Sequence, residues 1–292
     1  AAGIVTDDGK TTHHRRAPGM VNTVFHEAHL QQLTGLSGIG HVRYPTAGLR
    51  DAAETQPFYL NTGISLAHNG NLTNTSTVCE DLPLHNRPKT LSDSEVLLHV
   101  FAAELERAKG AKISTGAVFA AVAATHARLR GSYAFVALIT GWGVVGVRDP
   151  HGIRPLVIGT KQNPRFTMIA SESVACTSLD FELARDVLPG EAVIVTHDGA
   201  LESKVCCAPR ALTPCIFEFV YFARPDSIID TISVHKARCR MGQALGRQTL
   251  SKLSLLDIDV VVSIPDSGRT AALELAREIG VPYEEGLSKT ST

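Results

Sequence analysis

Features that mark nucleic-acid-binding, membrane or secreted proteins are scarce in this sequence. The 28 lysines and arginines nearly balance 29 aspartates and glutamates, and a formal net charge of −1 gives no electrostatic basis for binding nucleic acid or an anionic membrane. No apolar run approaches the ~18 residues that a membrane-spanning helix requires. The first residues lack the charged start, apolar stretch and cleavage site of a signal peptide. We therefore expect a cytoplasmic protein without nucleic-acid or membrane partners.

The sequence is also poor in cysteine, with only six among 292 residues. This is too sparse for a disulfide scaffold in a chain of this length. No two cysteines form a C-x-x-C pair, so a closed zinc site is not indicated. We expect reduced and mostly buried thiols at Cys79, Cys176, Cys206, Cys207, Cys215 and Cys239.

Two polar clusters, each following a short apolar strand, stand out from an ordinary globular composition of 44% hydrophobic and 20% charged residues. The first surrounds Arg43, whose planar guanidinium suits a carboxylate. The second contains Asn69 and Gly70, and glycines in both clusters let the backbone turn its N–H groups toward a ligand. Together they suggest a pocket for an amino acid. Alternatively, Asn69-Gly70 forms a hairpin turn and Arg43 only marks the exit of an edge strand.

Periodicity predicts helices packed on antiparallel strands. Residues 21–33, 93–105 and 117–130 carry apolar side chains near helical spacing. Ser92 is the expected N-cap of the second helix, in a capping box with Glu95. Strand patterns occupy residues 132–140, 143–148, 156–159, 166–171 and 192–195. This order predicts an αββα sandwich.

The last third of the chain has a different pattern. Residues 197–214 are polar and predict a linker between one domain at 1–196 and another at 215–292. After the linker, a strand at 215–222 and a helix at 233–250 are predicted. An apolar run at 259–265, a helix at 271–279 and a further strand then predict a βαβ unit with a buried parallel strand.

Taken in order, these motifs resemble the glutamine phosphoribosylpyrophosphate amidotransferase family. The resemblance covers nearly the whole chain and includes the clusters around Arg43 and Asn69 together with residues 92–95, 131–134, 148–156, 170–173, 189–192 and 217–227. It implies a fold class of α+β and α/β type. An N-terminal-nucleophile αββα sandwich, the glutaminase domain, would be followed by a partial type I phosphoribosyltransferase domain with a parallel sheet.

The resemblance also implies roles for single residues. Arg43 would bind the α-carboxylate of glutamine. Asp93 would bind its α-ammonium, although taken alone Asp93 is an acid of the kind favoured in the first turn of a helix. The side-chain amide of Asn69 and the backbone N–H of Gly70 would form the oxyanion hole.

The nucleophile of this family is an N-terminal cysteine whose own α-amine acts as the base. This chain begins Ala1-Ala2-Gly3-Ile4, which resembles a segment a few dozen residues into the family's glutaminase domain. We therefore expect a fragment that begins after the nucleophile and hydrolyses no glutamine. Cys79 lies in a polar stretch near the oxyanion residues, but it has no partner base in its sequence context and is predicted to be a bystander.

In the second domain, residues 265–271 resemble the pyrophosphate-side loop of type I phosphoribosyltransferases, at a strand–helix junction that favours phosphate. The magnesium-linked hydroxyl of the family corresponds to Ser267, although Asp266 or Ser267 could be a plain helix N-cap. The sequence diverges after Leu287, so no phosphoribosyl transfer is expected from this chain. Some members carry an iron–sulfur cluster, and Cys215 lies where one ligand is expected, but nothing else in the sequence supports the cluster.

For the intact enzyme the resemblance implies the first committed step of de novo purine synthesis. Glutamine, phosphoribosylpyrophosphate and water would yield 5-phosphoribosylamine, pyrophosphate and glutamate, with Mg²⁺ as cofactor, in a homo-oligomer. One alternative is another glutaminase of the superfamily, such as glucosamine-6-phosphate synthase or asparagine synthetase, which the βαβ unit argues against. A second is a glutamine-binding regulatory pseudoenzyme without a nucleophile.

Overall fold

The computed structural model describes residues 1–43, 52–83, 87–90, 92–162, 166–253 and 258–288. Runs of strands and runs of helices follow one another along these residues and assemble into layers. In chain order they are β1 (Ala2–Asp7), β2 (Thr12–Ala17), α1 (Val21–Val24), α2 (Glu27–Leu30), β3 (Ser37–Val42), β4 (Phe58–Leu60), β5 (Ile64–Leu72), α3 (Thr75–Glu80), α4 (Asp93–Ala108), α5 (Thr115–Arg128), β6 (Gly131–Ile139), β7 (Gly143–Arg148), β8 (Val157–Lys161), β9 (Phe166–Ala170), α6 (Ser173–Thr177), β10 (Glu182–Asp186), β11 (Glu191–Thr196), β12 (Leu201–Val205), β13 (Ile228–Ile229), β14 (Ile232–Ser233), α7 (Val234–Leu253), β15 (Val261–Val262), α8 (Arg269–Ile279) and β16 (Tyr283–Glu284).

A six-stranded antiparallel sheet with strand order β12-β11-β7-β6-β5-β4 lies at the centre of the fold. Its longest pairing joins β5 to β6, from Ile64 opposite Ile139 to Leu72 opposite Gly131. Helices α4 and α5 cover one face, where Phe101 is fully buried in the same cluster as side chains of β5, β6 and β7. Each large apolar side chain buried there contributes roughly 1.5–3 kcal/mol. This layer is the largest hydrophobic core of the described residues.

Two three-stranded sheets, β2-β1-β3 and β10-β8-β9, pack on the other face. Leu138 contacts Val5 and Ile39 in the first, and Ala134 clusters with Ile158 in the second. Because successive side chains of a strand point to opposite faces, β6 serves both layers, with odd-numbered residues toward the helices and even-numbered ones toward the small sheets. The predicted packing of sheet on sheet is therefore present.

The C-terminal part contains the predicted βαβ unit, since β15 and β16 pair in parallel and α8 connects them. The prediction that the first strand is buried is wrong, because Val260, Val262 and Ile264 are exposed at the surface of the described residues. The strand predicted at 215–222 is wrong, because Glu218–Phe222 forms a π-helical turn. Arg238, which is buried, donates to the carbonyl oxygens of Phe219 (2.7 Å) and Ala223 (2.8 Å). These bonds satisfy carbonyls at the turn and fix a conformation that an apolar run alone does not specify.

Three further expectations fail locally. The helix predicted at 21–33 consists of two separate short helices, α1 and α2. The predicted linker at 197–214 contains β12, which is paired with β11 at the edge of the central sheet. The position of the domain boundary itself stays a prediction. The capping box of Ser92 and Glu95 is absent, because Ser92 makes no side-chain cap and Glu95 instead accepts bonds from the backbone N–H (2.7 Å) and hydroxyl (2.6 Å) of Thr90. Within the described ranges, no helix is both long enough and apolar enough to cross a membrane.

Candidate functional site

Asn69 and Gly70 lie inside strand β5, so the hairpin-turn alternative is wrong. Gly70 pairs with Tyr133 of β6. A Cβ atom on Gly70 would collide with the carbonyl oxygen of Ser132 and would lie 2.6 Å from Nε2 of His68. Since real Cβ atoms do not approach this closely, glycine is required here by the contact between the two strands and the histidine ring.

Asp93, the first residue of α4, joins this helix to β5. Its Oδ2 accepts the backbone N–H of Leu72 at 3.0 Å, and its Oδ1 lies 3.4 Å from the hydroxyl of Ser94 and 3.8 Å from Nδ1 of His68. The carboxylate therefore lies next to the strand that carries Asn69 and Gly70. A first-turn acid that only complemented the helix dipole would not need these contacts.

Arg43 directly follows β3, and its backbone exchanges hydrogen bonds with Ala1 at 2.8 and 3.0 Å. The guanidinium Nη1 lies 2.8 Å from Oε2 of Glu54, with both side chains largely shielded from solvent. Glu54 could not be predicted as a partner from the sequence, because it lies in a polar run that gives no signal of its own. Residues 44–51, between Arg43 and this segment, lie outside the described residues.

Two histidines lie between these groups. Burial lowers the pKa of His41 to about 4, and the nearby His68 and Arg43 add to the effect. Burial likewise lowers the pKa of His68, although the Asp93 carboxylate opposes this. Both rings are therefore neutral at pH 7. Arg43 and His68 are thus both near enough to His41 to affect its pKa, and Nδ1 of His68 lies 3.8 Å from Oδ1 of Asp93.

The structure places Asp93 beside the strand that carries Asn69 and Gly70, and the roles of these residues and of Arg43 toward glutamine stay predictions. Cys79 lies on α3 and packs at the edge of the core, and burial raises the pKa of its thiol, as expected for a bystander. Ser267 lies in the turn before α8, where the N-cap residue is Gly268 rather than Asp266 or Ser267. Among the described residues, no group of three or more His, Cys, Asp or Glu side chains is placed to hold a metal ion.

A model of the glutamine amidotransferase domain matches residues 41–178, which include the whole predicted glutamine site. Amidophosphoribosyltransferase of Escherichia coli K12 is 49% identical over 99% of this chain, and that of Pseudomonas aeruginosa is 51% identical over 99%. This chain is similar to amidophosphoribosyltransferases along essentially its whole length. The family resemblance inferred from the motifs is therefore confirmed. The chain spans 59% of the length of each of these amidophosphoribosyltransferases.

The similarity to amidophosphoribosyltransferases extends to the fold. A solved structure of glutamine phosphoribosylpyrophosphate amidotransferase from B. subtilis, complexed with ADP and GMP, superposes with a TM-score of 0.81 at 33% identity. The superposition covers 98% of this chain and 59% of that chain. The predicted fold class, an N-terminal-nucleophile type of glutamine amidotransferase, is confirmed.

Proposed function

We propose that this chain is the glutamine-binding part, together with the beginning of the transferase part, of an amidophosphoribosyltransferase. The single observation that carries the proposal is the identity of about half of all residues to such enzymes over 99% of the chain. The contact of Asp93 with the strand that carries Asn69 and Gly70 supports it. A sugar isomerase or an ATP-dependent synthetase would require a different sequence after residue 214.

Each binding role follows from the chemistry of the group. The Arg43 guanidinium offers a planar fork to the α-carboxylate of glutamine, and the Asp93 carboxylate offers a charged acceptor to the α-ammonium. The amide of Asn69 and the backbone N–H of Gly70 donate to the oxygen on which negative charge develops during amide hydrolysis. Loss of one such donor costs roughly 3 kcal/mol of transition-state stabilisation. In the intact enzyme, an N-terminal cysteine would supply the nucleophile.

The transferase role concerns the C-terminal part. Ser267, in the turn between a parallel strand and α8, would provide one oxygen ligand to Mg²⁺, a cation that takes few protein ligands and relies on substrate phosphates. Magnesium would neutralise charge on the pyrophosphate of phosphoribosylpyrophosphate. The intact enzyme would make 5-phosphoribosylamine for purine synthesis, as a cytoplasmic homo-oligomer.

Calorimetric titration with L-glutamine tests the binding role. The wild-type chain is expected to bind saturably, and Arg43→Lys is expected to weaken binding about tenfold, because lysine cannot form the bidentate pair. Arg128→Lys is the matched control: Arg128 is equally shielded, with 20% of its side chain exposed against 22% for Arg43, and it also pairs with a glutamate. A wild-type chain that binds no glutamine at millimolar concentrations would refute the proposal, and so would equal weakening by both substitutions.

A further inference from the structure

The outer edge of β5 loses its partner strand partway along its length. Strand β4 begins at Phe58, which lies opposite Leu66 of β5. In the same register Gln56 would lie opposite His68, but β4 does not extend that far. Beyond Leu66, the backbone N–H groups on this edge of β5 therefore need acceptors other than a strand.

Arg16 of β2 holds the segment before β4 away from this edge. Its Nη1 donates to the carbonyl oxygens of Thr55 (2.6 Å) and Pro57 (3.2 Å). The carbonyl oxygen of Gln56 lies against Gly3 of β1, where a Cβ atom would collide with it. These three carbonyls therefore face the small sheet β2-β1-β3, and none of them continues the ladder along β5.

Side chains close the edge on either side of Gly70. The backbone N–H of His68 donates to Oε1 of Gln56 at 2.7 Å. The backbone N–H of Leu72 donates to Oδ2 of Asp93 at 3.0 Å. Because N–H groups two residues apart in a strand point to the same edge, the N–H of Gly70 points outward between these two bonds.

The pairing with β6 leaves the Gly70 N–H uncommitted. Gly70 lies opposite Tyr133, whose carbonyl oxygen accepts the N–H of Asp149 at 2.8 Å on the far side of β6. Gly70 and Tyr133 therefore form a non-hydrogen-bonded pair. The next residue, Asn71, directs its N–H to the hydroxyl of Ser132 at 3.2 Å, on the β6 side. Of the three N–H groups on the outer edge, that of Gly70 is the one to which no described residue offers an acceptor.

A buried chain of hydrogen bonds fixes the Gln56 side chain. Gln56, His68 and Ser94 are each at most 5% exposed. Nε2 of His68 lies beside the backbone carbonyl of Ser132, which can only accept, so the ring proton is on Nε2. Nδ1 then accepts from the hydroxyl of Ser94 at 3.0 Å, and this hydroxyl accepts from the Gln56 amide nitrogen at 3.0 Å. The Gln56 amide is thus bonded at both ends, which keeps its oxygen on the His68 N–H.

We propose that Gln56 is a positioning residue that, by holding the His68 N–H, fixes the Gly70 N–H as the donor to the side-chain carbonyl oxygen of glutamine. The inference rests on the proposed function, since it takes Gly70 as part of the oxyanion hole. Glycine has the least restricted backbone of all residues, so a Gly70 without a neighbouring strand needs both of its sides held. Gln56 holds one side and Asp93 the other. Arg16 keeps the backbone before β4 out of the gap that the ligand oxygen would fill.

The Gly70 amide can be observed by itself, because Asn69-Gly70 is the only Asn-Gly pair in the sequence. Asparagine labelled with ¹³C at its carbonyl and glycine labelled with ¹⁵N give a single carbonyl-filtered amide signal. The equally unique pair Val145-Gly146 reports an interior strand, since β7 pairs with both β6 and β11. The Gly70 amide proton should exchange with water about a hundredfold faster than that of Gly146. Equal protection would mean that the Gly70 N–H already has an acceptor and would overturn the inference.

Titration of the 292-residue chain with L-glutamine tests the role of Gln56. L-glutamine should shift the wild-type Gly70 signal, whereas L-ornithine, which keeps both α-groups but has no side-chain carbonyl oxygen, should not. Gln56→Met keeps the length of the side chain but removes the acceptor of the His68 N–H. It should weaken L-glutamine binding about fivefold, the effect of one hydrogen bond, and reduce the shift of the Gly70 signal. Equal shifts with both ligands, or unchanged affinity and shift in Gln56→Met, would overturn the inference.

Ser173→Ala is the matched control. Ser173 is 3% exposed and also accepts a backbone N–H, that of Ile228 at 2.8 Å. Its removal should lower the free energy of unfolding by a similar amount and leave the L-glutamine affinity and the Gly70 signal unchanged. Equal weakening of binding by both substitutions would mean that Gln56 acts only through stability and would overturn the inference. A wild-type chain that bound no L-glutamine would refute the proposed function, whereas normal binding without a response of the Gly70 signal would refute only this inference.

Discussion

His126 should make the stability of the protein depend on pH in a defined window. This histidine of α5 is buried, with Nε2 3.2 Å from the carbonyl oxygen of Gly190 and Nδ1 2.7 Å from the hydroxyl of Tyr133. The carbonyl can only accept, so Nε2 carries the proton and Nδ1 accepts from the tyrosine. A second proton, on Nδ1, would reverse the direction of that bond and place a positive charge in the core. His126 therefore has to stay neutral for the native contacts to persist.

The size of the effect follows from the pKa. Burial lowers the pKa of His126 from 6.5 to about 4. Between these values the unfolded chain binds more protons than the folded chain, so stability is fully present above pH 6.5 and falls as the pH drops toward 4. At about 1.4 kcal/mol for each pH unit, the complete loss is about 3 kcal/mol, most of it reached by pH 4.5.

Urea unfolding at several values between pH 7.5 and 4.5 measures this loss. His126→Gln offers an amide oxygen to Tyr133 and an amide N–H to Gly190 but does not titrate, so its unfolding free energy should fall by about 2–3 kcal/mol less than that of the wild type. Groups that titrate in both proteins, such as His41, cancel in this difference. His151→Gln, at an exposed position, should keep the wild-type dependence. Parallel curves for wild type and His126→Gln would refute the reasoning.

Two substitutions test the packing around the site and the attachment of the C-terminal part. Gly70→Ala forces β5 and β6 apart, so it is expected to lower the free energy of unfolding by about 1–3 kcal/mol and to abolish glutamine binding. Urea unfolding and calorimetric titration measure the two effects. Gly110→Ala is the control and should change neither quantity, because a Cβ atom there meets only open space. Asp230 accepts hydrogen bonds from Nη1 (2.7 Å) and Nη2 (2.8 Å) of Arg148, whose side chain is 1% exposed. Asp230→Asn removes the charge that pairs with this buried guanidinium. The free energy of unfolding should fall by about 3 kcal/mol. Asp226→Asn is the control, because Asp226 pairs with Arg224 at the surface, and it should lower the free energy of unfolding by less than about 1 kcal/mol. Equal losses in the two variants would contradict the argument.

The fold could be predicted where local pattern and tertiary packing agree. Strand β7 has the predicted bounds, 143–148, because its alternating residues fill two layers. The π-helical turn at 218–222 was missed, since short aromatic runs suit strand and helix alike. The conformation of this turn depends on Arg238 of α7, whose side chain donates to the carbonyl oxygens of Phe219 in the turn and of Ala223 directly after it. β12 was missed because all five of its side chains are exposed, which left a polar segment without a buried face.

The candidate site also contains residues that could be predicted from the sequence and residues that could not. Arg43, Asn69 and Asp93 could be proposed from sequence because motifs carry the groups that would touch glutamine. The buried polar groups next to Asp93 and β5 have no such signal, since Gln56 bonds to Ser94 across 38 residues and His68 to Ser94 across 26. A glutamine or serine in a loop or first helical turn satisfies local rules whether or not it is buried. Their hydrogen bonds arise only when β5, the segment before β4 and α4 are brought together. These contacts are therefore a property of the fold, even though the chemistry of Asp93 can be inferred from the sequence.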